Sequence, residues 1–172
     1  MLGAAAARRP GTARSRGVRV FAVVSFGSLL LTAGCSTIDV EGPELTDAEA
    51  EVCRSLIADL PQTLVDQPSR EVDEPDRAAA WGDPAIVLVC GGEVPESFDE
   101  FSECIDANGL GWFIPPELTE DQTADVVMAT AGTSPVIAVT LPAQYRPTGP
   151  AAAMSGLASP VKRHVTVTNA CE

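Results

Sequence analysis

One histidine and 24 acidic residues are the side chains of this 172-residue chain best suited to acid–base chemistry. Ser–His–Asp or Cys–His catalysis would have to use His164, because no other imidazole is available. The alternating pattern around it predicts a solvated histidine on the exposed side of a terminal strand, beside Lys162 and Arg163. The patterns GxSxG, HExxH and GxxxxGK[ST] do not occur. The residue types therefore favour a non-enzymatic protein, although a pair of carboxylates can catalyse without histidine.

Two tryptophans beside turns are the best candidates for a ligand site. Trp81 opens the sequence Trp-Gly-Asp-Pro, whose last three residues form turns, and Trp112 follows an Asn-Gly turn signal. A small groove framed by Trp81, Asp83 and Trp112 would suit a sugar or a peptide. The alternative is that both indoles pack in the core and Asp83 caps a turn.

The acidic residues offer little for a metal ion. Six of them lie in residues 93–106, but they lack the DxDxDG order that positions oxygen ligands for Ca²⁺. The chain has one histidine and no CxxC pair. We therefore expect a solvated acidic face, no metal site and no cofactor.

The formal charge of −13 combines two opposite parts. Residues 1–34 hold five arginines and no acid, so residues 35–172 carry a net charge of −18. A nucleic-acid-binding surface needs an excess of Lys and Arg, which excludes nucleic acid as a partner. Residues 126–172 carry +2, and this part of the surface would not repel an anionic polymer.

The basic leader is followed by an uncharged apolar run over residues 20–31. A membrane-spanning helix needs about 20 apolar residues, whereas a secretory signal peptide has a shorter apolar region. Leu31-Thr-Ala-Gly-Cys35 resembles the lipobox of bacterial lipoproteins. We therefore predict that residues 1–34 are removed and that a lipid on Cys35 anchors the protein to the extracytoplasmic face of the cell membrane. The alternative is an ordinary secretory peptide that leaves Cys35 as a spare thiol.

Lipidation of Cys35 leaves an even set of cysteines, as is usual in an exported chain: Cys53, Cys90, Cys104 and Cys171. The favoured disulfides are Cys53–Cys90, which would pin the first helix to a central strand, and Cys104–Cys171, which would secure the C-terminus. The rival pairing is Cys90–Cys104 with Cys53–Cys171.

A short acidic tether over residues 35–45 is predicted to precede one globular domain over residues 46–172. The capping box of Thr46 and Glu49 starts a helix at 47–60, which Pro61 ends. Residues 61–84 are predicted to be an irregular connection. The remaining segments are a strand at 85–90, a short helix or compact loop at 93–106, a strand at 111–114, a hairpin of 126–130 with 135–142, a helix at 150–158 and a strand at 164–168. This order predicts an α+β fold, with a mostly antiparallel sheet of four to five strands and two helices on one face.

Several of these segments together resemble the actinobacterial lipoproteins of the domain of unknown function 3515 family. They are the helix ending in Leu60-Pro61, the sequence WGDPAIVLVCG at 81–91, GLGW at 109–112 and SPVIAVTLP at 134–142. The resemblance covers about residues 45–170 and implies an exported, membrane-tethered domain, but no activity. Thr133-Ser134 stands where the family often has Gly-Arg, which removes one candidate anion-binding cation.

These observations predict a membrane-anchored lipoprotein that binds or scaffolds a component of the cell envelope. Its partner would be an envelope protein or a cell-wall polymer, and the membrane would be contacted through the lipid on Cys35. The alternative function is a carboxylate-dependent enzyme that acts on cell-wall material.

Overall fold

A computed structural model describes residues 38–40 and 42–168 of the chain. They belong to one unit, Cys35–Glu172. The predicted signal peptide, Cys35 and Cys171 lie outside the described residues, so the signal peptide and the lipid anchor stay predictions. None of the helices within the described ranges combines the length and the apolarity needed to cross a bilayer.

The first helix, α1 (Asp47–Ala58), begins at the predicted capping box. The Thr46 hydroxyl accepts a hydrogen bond from the Glu49 amide over 3.3 Å, and the Glu49 carboxylate accepts one from the Thr46 amide over 2.9 Å. Each residue thus satisfies a backbone donor that a helix start would leave unpaired. Cys53 and Leu56 on its apolar side are fully buried.

An eight-stranded sheet forms the centre of the molecule, and every neighbouring pair in it is antiparallel. Its strand order is β1-β2-β3-β4-β9-β7-β6-β5. These strands are β1 (Thr63–Leu64), β2 (Gln67–Arg70), β3 (Ala78–Trp81), β4 (Ile86–Cys90), β5 (Ile105–Asp106), β6 (Gly111–Phe113), β7 (Val126–Thr130) and β9 (Ile137–Leu141). The α+β class and the antiparallel sheet are confirmed. The predicted count of four to five strands is wrong, mainly because residues 61–84 supply three strands instead of an irregular connection.

The C-terminal part differs most from the prediction. A short α2 (Pro116–Glu120) and a 3-10 helix (Ala143–Tyr145) precede α3 (Gly149–His164), which contacts α1. The helix predicted at 150–158 continues through Pro160 to His164. Proline removes one helical hydrogen bond, but the buried Leu157 and Val161 on either side hold the last turns against the core. The predicted strand at 164–168 shrinks to β10 (Thr166–Val167), which pairs with β8 (Thr133–Ser134) outside the main sheet.

The core lies between the sheet and the helices. Alternate residues of the central strands β4 and β9 are fully buried: Ile86, Leu88, Cys90, Ile137, Val139 and Leu141. A disulfide joins Cys53 of α1 to Cys90 of β4, which confirms the favoured pairing and excludes Cys90–Cys104. Cys104 is disulfide-bonded as well. Its predicted partner Cys171 lies outside the described residues, so that pair stays a prediction.

The described part of the predicted tether packs against the domain. Ile38 forms a parallel bridge with Val72, and Val40 is 8 % exposed. Arg77 holds the segment in place, because its guanidinium donates to the Pro43 carbonyl over 3.0 Å and to the Gly91 carbonyl over 3.1 Å. Residues 38–40 and 42–45 of the predicted tether therefore lie against the domain, and the tether as a whole stays a prediction.

Candidate functional site

Trp81 connects the end of α1 to the sheet. It is the last residue of β3 and is 1 % exposed. Its indole N–H donates to the Pro61 carbonyl over 2.9 Å. This bond satisfies the polar group of a buried tryptophan, as such groups require. The chain that leaves α1 is thereby fixed beside the turn that follows β3.

The turn formed by residues 81–84 is held by side chains from distant parts of the chain. Three consecutive carbonyl oxygens each accept one hydrogen bond: Gly82 from Arg70 over 3.0 Å, Asp83 from Gln144 over 3.3 Å and Pro84 from Tyr145 over 2.8 Å. The Asp83–Pro84 peptide bond is cis. Satisfied carbonyls on every residue after the tryptophan indicate a turn with one defined shape.

Gly82 allows this close packing. Its φ of +79° is in the left-handed region, and a Cβ atom there would lie 2.6 Å from the Tyr145 hydroxyl oxygen and 2.9 Å from Cγ of Gln67. A side chain at this position would meet both the conformational penalty and a neighbour that is itself hydrogen-bonded.

Next to the turn lies an open groove of about 390 Å³, which we call the Arg70 groove. One wall is the end of α1, the other is the segment that follows β2, and the floor is β3. The floor includes Ala78, Ala79 and Ala80, whose small side chains alternate between the two faces of the strand. The polar groups at the rim come from Gln62, Ser69, Arg70 and Glu71.

Both signs of charge and both hydrogen-bonding roles occur at this rim. The Arg70 guanidinium lies 3.5 Å from a carboxylate oxygen of Asp83, whose side chain is 90 % exposed. The Ser69 hydroxyl donates to the side-chain carbonyl of Gln62 over 3.2 Å. The rim can therefore exchange hydrogen bonds with a chain that carries donors and acceptors in alternation.

The groove predicted between Trp81, Asp83 and Trp112 does not form. Trp112 is fully buried on β6, and three strands separate β6 from β3. Both indoles pack in the core, as the alternative interpretation had it. Trp81 does border the Arg70 groove, with Asp83 at the adjacent turn. The predicted groove thus included the turn beside the Arg70 groove, but it also included Trp112, which lies in another part of the sheet.

The chain matches a known protein family over most of its length. A family model described as Protein of unknown function (DUF3515) matches residues 16–169. The chain belongs to this family. No curated protein and no solved structure matches the DUF3515 chain. The family resemblance carried by the 81–91 and 134–142 segments is confirmed.

The histidine of the DUF3515 chain is not on a strand. His164 is the last residue of α3, and its Nε2 lies 2.9 Å from Oδ2 of Asp59, the residue that caps the C-terminus of α1. Arg163 donates to the same oxygen over 2.7 and 2.9 Å. The hydrogen bonds from His164, followed by those from Arg163, lower the pKa of Asp59. The histidine predicted to be solvated therefore takes part in a hydrogen-bonded contact between the C-terminal ends of α1 and α3.

Within the described part of the DUF3515 chain, no three His, Cys, Asp or Glu side chains lie close enough to hold a metal ion. The acidic residues of 93–106 lie in a segment of turns that ends in β5. Of the two forms predicted for this segment, a short helix or a compact loop, the structure has the compact loop. Asp99 uses its carboxylate locally, accepting from the Phe101 amide over 2.9 Å and from the Ser102 hydroxyl over 3.0 Å.

Sequence reasoning missed Arg70, Gln144 and Tyr145, the three side chains that hold the turn. Arg70 lies in a segment predicted to be irregular, and the other two lie 61 residues from their acceptors. A signal for Tyr145 does exist, since it is the single tyrosine of the chain and lies in a proline-rich connection.

Proposed function

We propose that this protein is a membrane-anchored lipoprotein of the cell envelope whose Arg70 groove binds an extended segment of another envelope protein. The observation that supports it most directly is the position of the groove. Val72 lines the groove and is also the residue with which Ile38 forms its bridge. Ile38 follows the predicted lipid site Cys35 by three residues.

The chemistry of the rim favours a peptide. A peptide in extended conformation presents N–H and C=O groups in alternation, and Arg70, Glu71 and Gln62 supply partners for both. Carbohydrate sites commonly stack a sugar ring on an exposed aromatic face. The ring of Trp81 is 1 % exposed and offers no such face.

The carboxyls with a resolved pKa shift lie outside the Arg70 groove. Acid–base catalysis by carboxylates uses a carboxyl with a raised pKa. The carboxyls of the described residues for which a shift is resolved are Glu49, Asp59 and Asp121, and the pKa of each is lowered by hydrogen bonds. None of the three lines the Arg70 groove.

In-cell crosslinking tests the groove. A photoreactive residue at Gln62 in the full-length protein should capture one defined envelope protein, whereas the same residue at Glu117 on α2 should not. Ala79→Leu, which fills the floor, should abolish the capture, and Ala152→Leu on the exposed side of α3 is the matched control. Glu71→Lys on the exposed rim should weaken the capture without a change in folding.

Three results would contradict the proposal. They are equal capture from both positions, capture that Ala79→Leu and Glu71→Lys leave unchanged, and release of soluble products from purified cell-wall fragments by the wild-type protein. Capture of a saccharide instead of a protein would assign the groove to a cell-wall polymer and would contradict the peptide ligand.

The anchor has its own test. Cys35→Ala should release the protein from the membrane or leave an unprocessed precursor. Fractionation of cells that express the wild type and the variant, together with the mass of the N-terminal peptide, measures this. Unchanged processing and membrane retention would contradict the lipoprotein assignment, while the groove experiment would remain informative.

A further inference from the structure

A second depression lies between α3 and the turn that precedes β6, and we call it the Lys162 cleft. Its volume is about 390 Å³, and its lining residues are Asn108, Ser155, Ser159, Lys162 and Arg163. Five of five lining side chains carry hydrogen-bond donors and none is a carboxylate, in a chain that has 24 acidic residues. The cleft therefore differs in charge from the molecule as a whole.

Two hydrogen bonds hold the turn against the helix. The Asn108 side-chain amide donates to the Ser155 hydroxyl over 3.1 Å, and the Lys162 ammonium donates to the Asn108 carbonyl over 2.7 Å. At Gly109, with φ +75°, a Cβ atom would lie 2.9 Å from the Lys162 nitrogen. The ammonium is thus placed over the turn with its position defined.

The cations of the cleft have donors to spare. An ammonium group has three N–H donors, and the Lys162 ammonium uses one of them on Asn108. Within the described residues, no carboxylate lies within 4.0 Å of Lys162, whereas Arg54, Arg70 and Arg77 each have such a partner. Lys162 is therefore a cation whose charge the surrounding acids leave uncompensated.

The acids that face the cleft from neighbouring elements are already engaged. Asp59 at the end of α1 accepts from Arg163 and His164. Asp106 on β5 accepts from the Gly109 amide over 3.1 Å. The Asp59 bonds use Nε and Nη2 of Arg163, and Nη1 points to the Ser159 hydroxyl within the cleft.

We propose that the Lys162 cleft binds a tetrahedral oxyanion of the phosphate class. Ser155, Ser159 and Lys162 lie at intervals of four and three residues, which places them on one side of α3. Hydroxyl, ammonium and guanidinium donors that converge from several directions match the several oxygens of a phosphate group. This site is separate from the Arg70 groove and goes beyond the function proposed for it.

A titration followed by ¹H–¹⁵N NMR tests the site on the full-length chain in dodecyl maltoside, a detergent without phosphate. Inorganic phosphate should shift the resonances of Asn108, Gly109, Ser155 and Ser159, whereas acetate at the same ionic strength should not. Lys162→Met should weaken the binding about tenfold or more, because hydrogen bonds to charged groups are the strong ones. Arg54→Met, at an exposed cation on α1, should change the affinity less than about twofold.

Vesicles separate the two sources of phosphate. Binding of the Cys35→Ala chain to phosphatidylcholine vesicles that contain phosphatidic acid, lost in Lys162→Met, would assign the site to a lipid headgroup. Phosphate binding without vesicle binding would assign it to a free or polymer-borne phosphate. Shifts spread over the whole surface, an equal response to acetate, or an equal effect of Arg54→Met would overturn the proposal. Ala79→Leu should leave phosphate binding unchanged, which distinguishes this result from the outcome at the groove.

Discussion

The Arg70 groove and the Lys162 cleft have similar volumes, but their polar side chains differ in how many hydrogen bonds they make to the protein backbone. Beside the groove, Arg70, Gln144 and Tyr145 donate to the backbone of one turn, and Arg70 also lines the groove, so this residue contributes to both the site and the fold. At the cleft, Lys162 makes one hydrogen bond to the described residues, which leaves two of its three N–H donors unused among them. The difference indicates that substitutions of the side chains that hold the turn cost stability, whereas substitution of Lys162 changes binding and leaves stability nearly unaltered.

The largest contrast is expected between Trp81→Ala and Lys162→Ala. Removal of a buried tryptophan should destabilise the domain by about 3–5 kcal/mol. Removal of the exposed lysine should change stability by less than about 0.5 kcal/mol. Urea unfolding followed by circular dichroism measures both. Similar losses of unfolding free energy in the two variants would show that Trp81 and Lys162 stabilise the fold equally and would contradict this difference between the sites.

Two glycines provide a closer comparison, because both have positive φ. Gly82→Ala and Gly109→Ala share a conformational cost of about 1–2 kcal/mol. At Gly82 the new methyl also meets the hydrogen-bonded Tyr145 hydroxyl at 2.6 Å, whereas at Gly109 it meets the movable end of Lys162 at 2.9 Å. Thermal unfolding should therefore show the larger loss for Gly82→Ala, and the reverse order would contradict a tightly held turn.

A single hydroxyl tests one bond of the turn. Tyr145→Phe removes the 2.8 Å donor to Pro84 and keeps the ring. The expected loss is about 1 kcal/mol, typical of one hydrogen bond. Gln144→Ala, which removes an exposed and longer bond of 3.3 Å, should cost less in the same denaturation assay. A larger effect of Gln144→Ala would show that the hydrogen bond to the Asp83 carbonyl stabilises the turn more than the bond to the Pro84 carbonyl does.

The smallest effect concerns pH at the edge of the cleft. The lowered pKa of Asp59 means that the folded state favours its carboxylate. The stability from this group is present above the pKa of the unfolded state, about 3.9, and is lost as the pH falls through the folded pKa. Asp59→Asn should therefore lower the midpoint of unfolding at pH 7 and differ less from wild type below about pH 3.9.

A control at the exposed end of α2 completes this comparison. Glu120→Gln should show a smaller difference from wild type at pH 7 than Asp59→Asn shows. If the Asp59→Asn difference stayed constant between pH 7 and pH 3, its origin would be packing instead of the bonds to Arg163 and His164.

Local signals predicted the elements that local contacts stabilise. The capping box at Thr46 and Glu49 specified the start of α1, and the apolar run before Cys90 specified β4. Tertiary pairing overrode local preference in β3, where three alanines with low strand preference are held by β4 on one side. The same holds for β2, a segment of polar residues and proline that resembles a loop in sequence but pairs with β1 on one side and β3 on the other.

The candidate sites were less predictable than the fold because their residues converge from distant positions. The Trp-Gly-Asp-Pro sequence predicted its turn. No sequence pattern indicates that Arg70 contacts Gly82 or that Tyr145 contacts Pro84, because each pair is far apart along the chain. For the proposed cleft, the excess of positive charge in residues 126–172 indicated the segment that contains Lys162 and Arg163. It did not indicate the contribution of Asn108, which comes from a different segment.

The packing of residues 38–40 and 42–45 against the domain would also set how far the groove lies from a lipid on Cys35. Ile38, which forms the bridge with Val72, follows Cys35 by three residue steps of at most about 3.6 Å each. With a lipid on Cys35, the groove would stay within a thin layer above the bilayer and would search for membrane-bound partners in two dimensions. A contact of modest affinity would then be occupied to a high degree, because confinement raises the effective concentration of both partners.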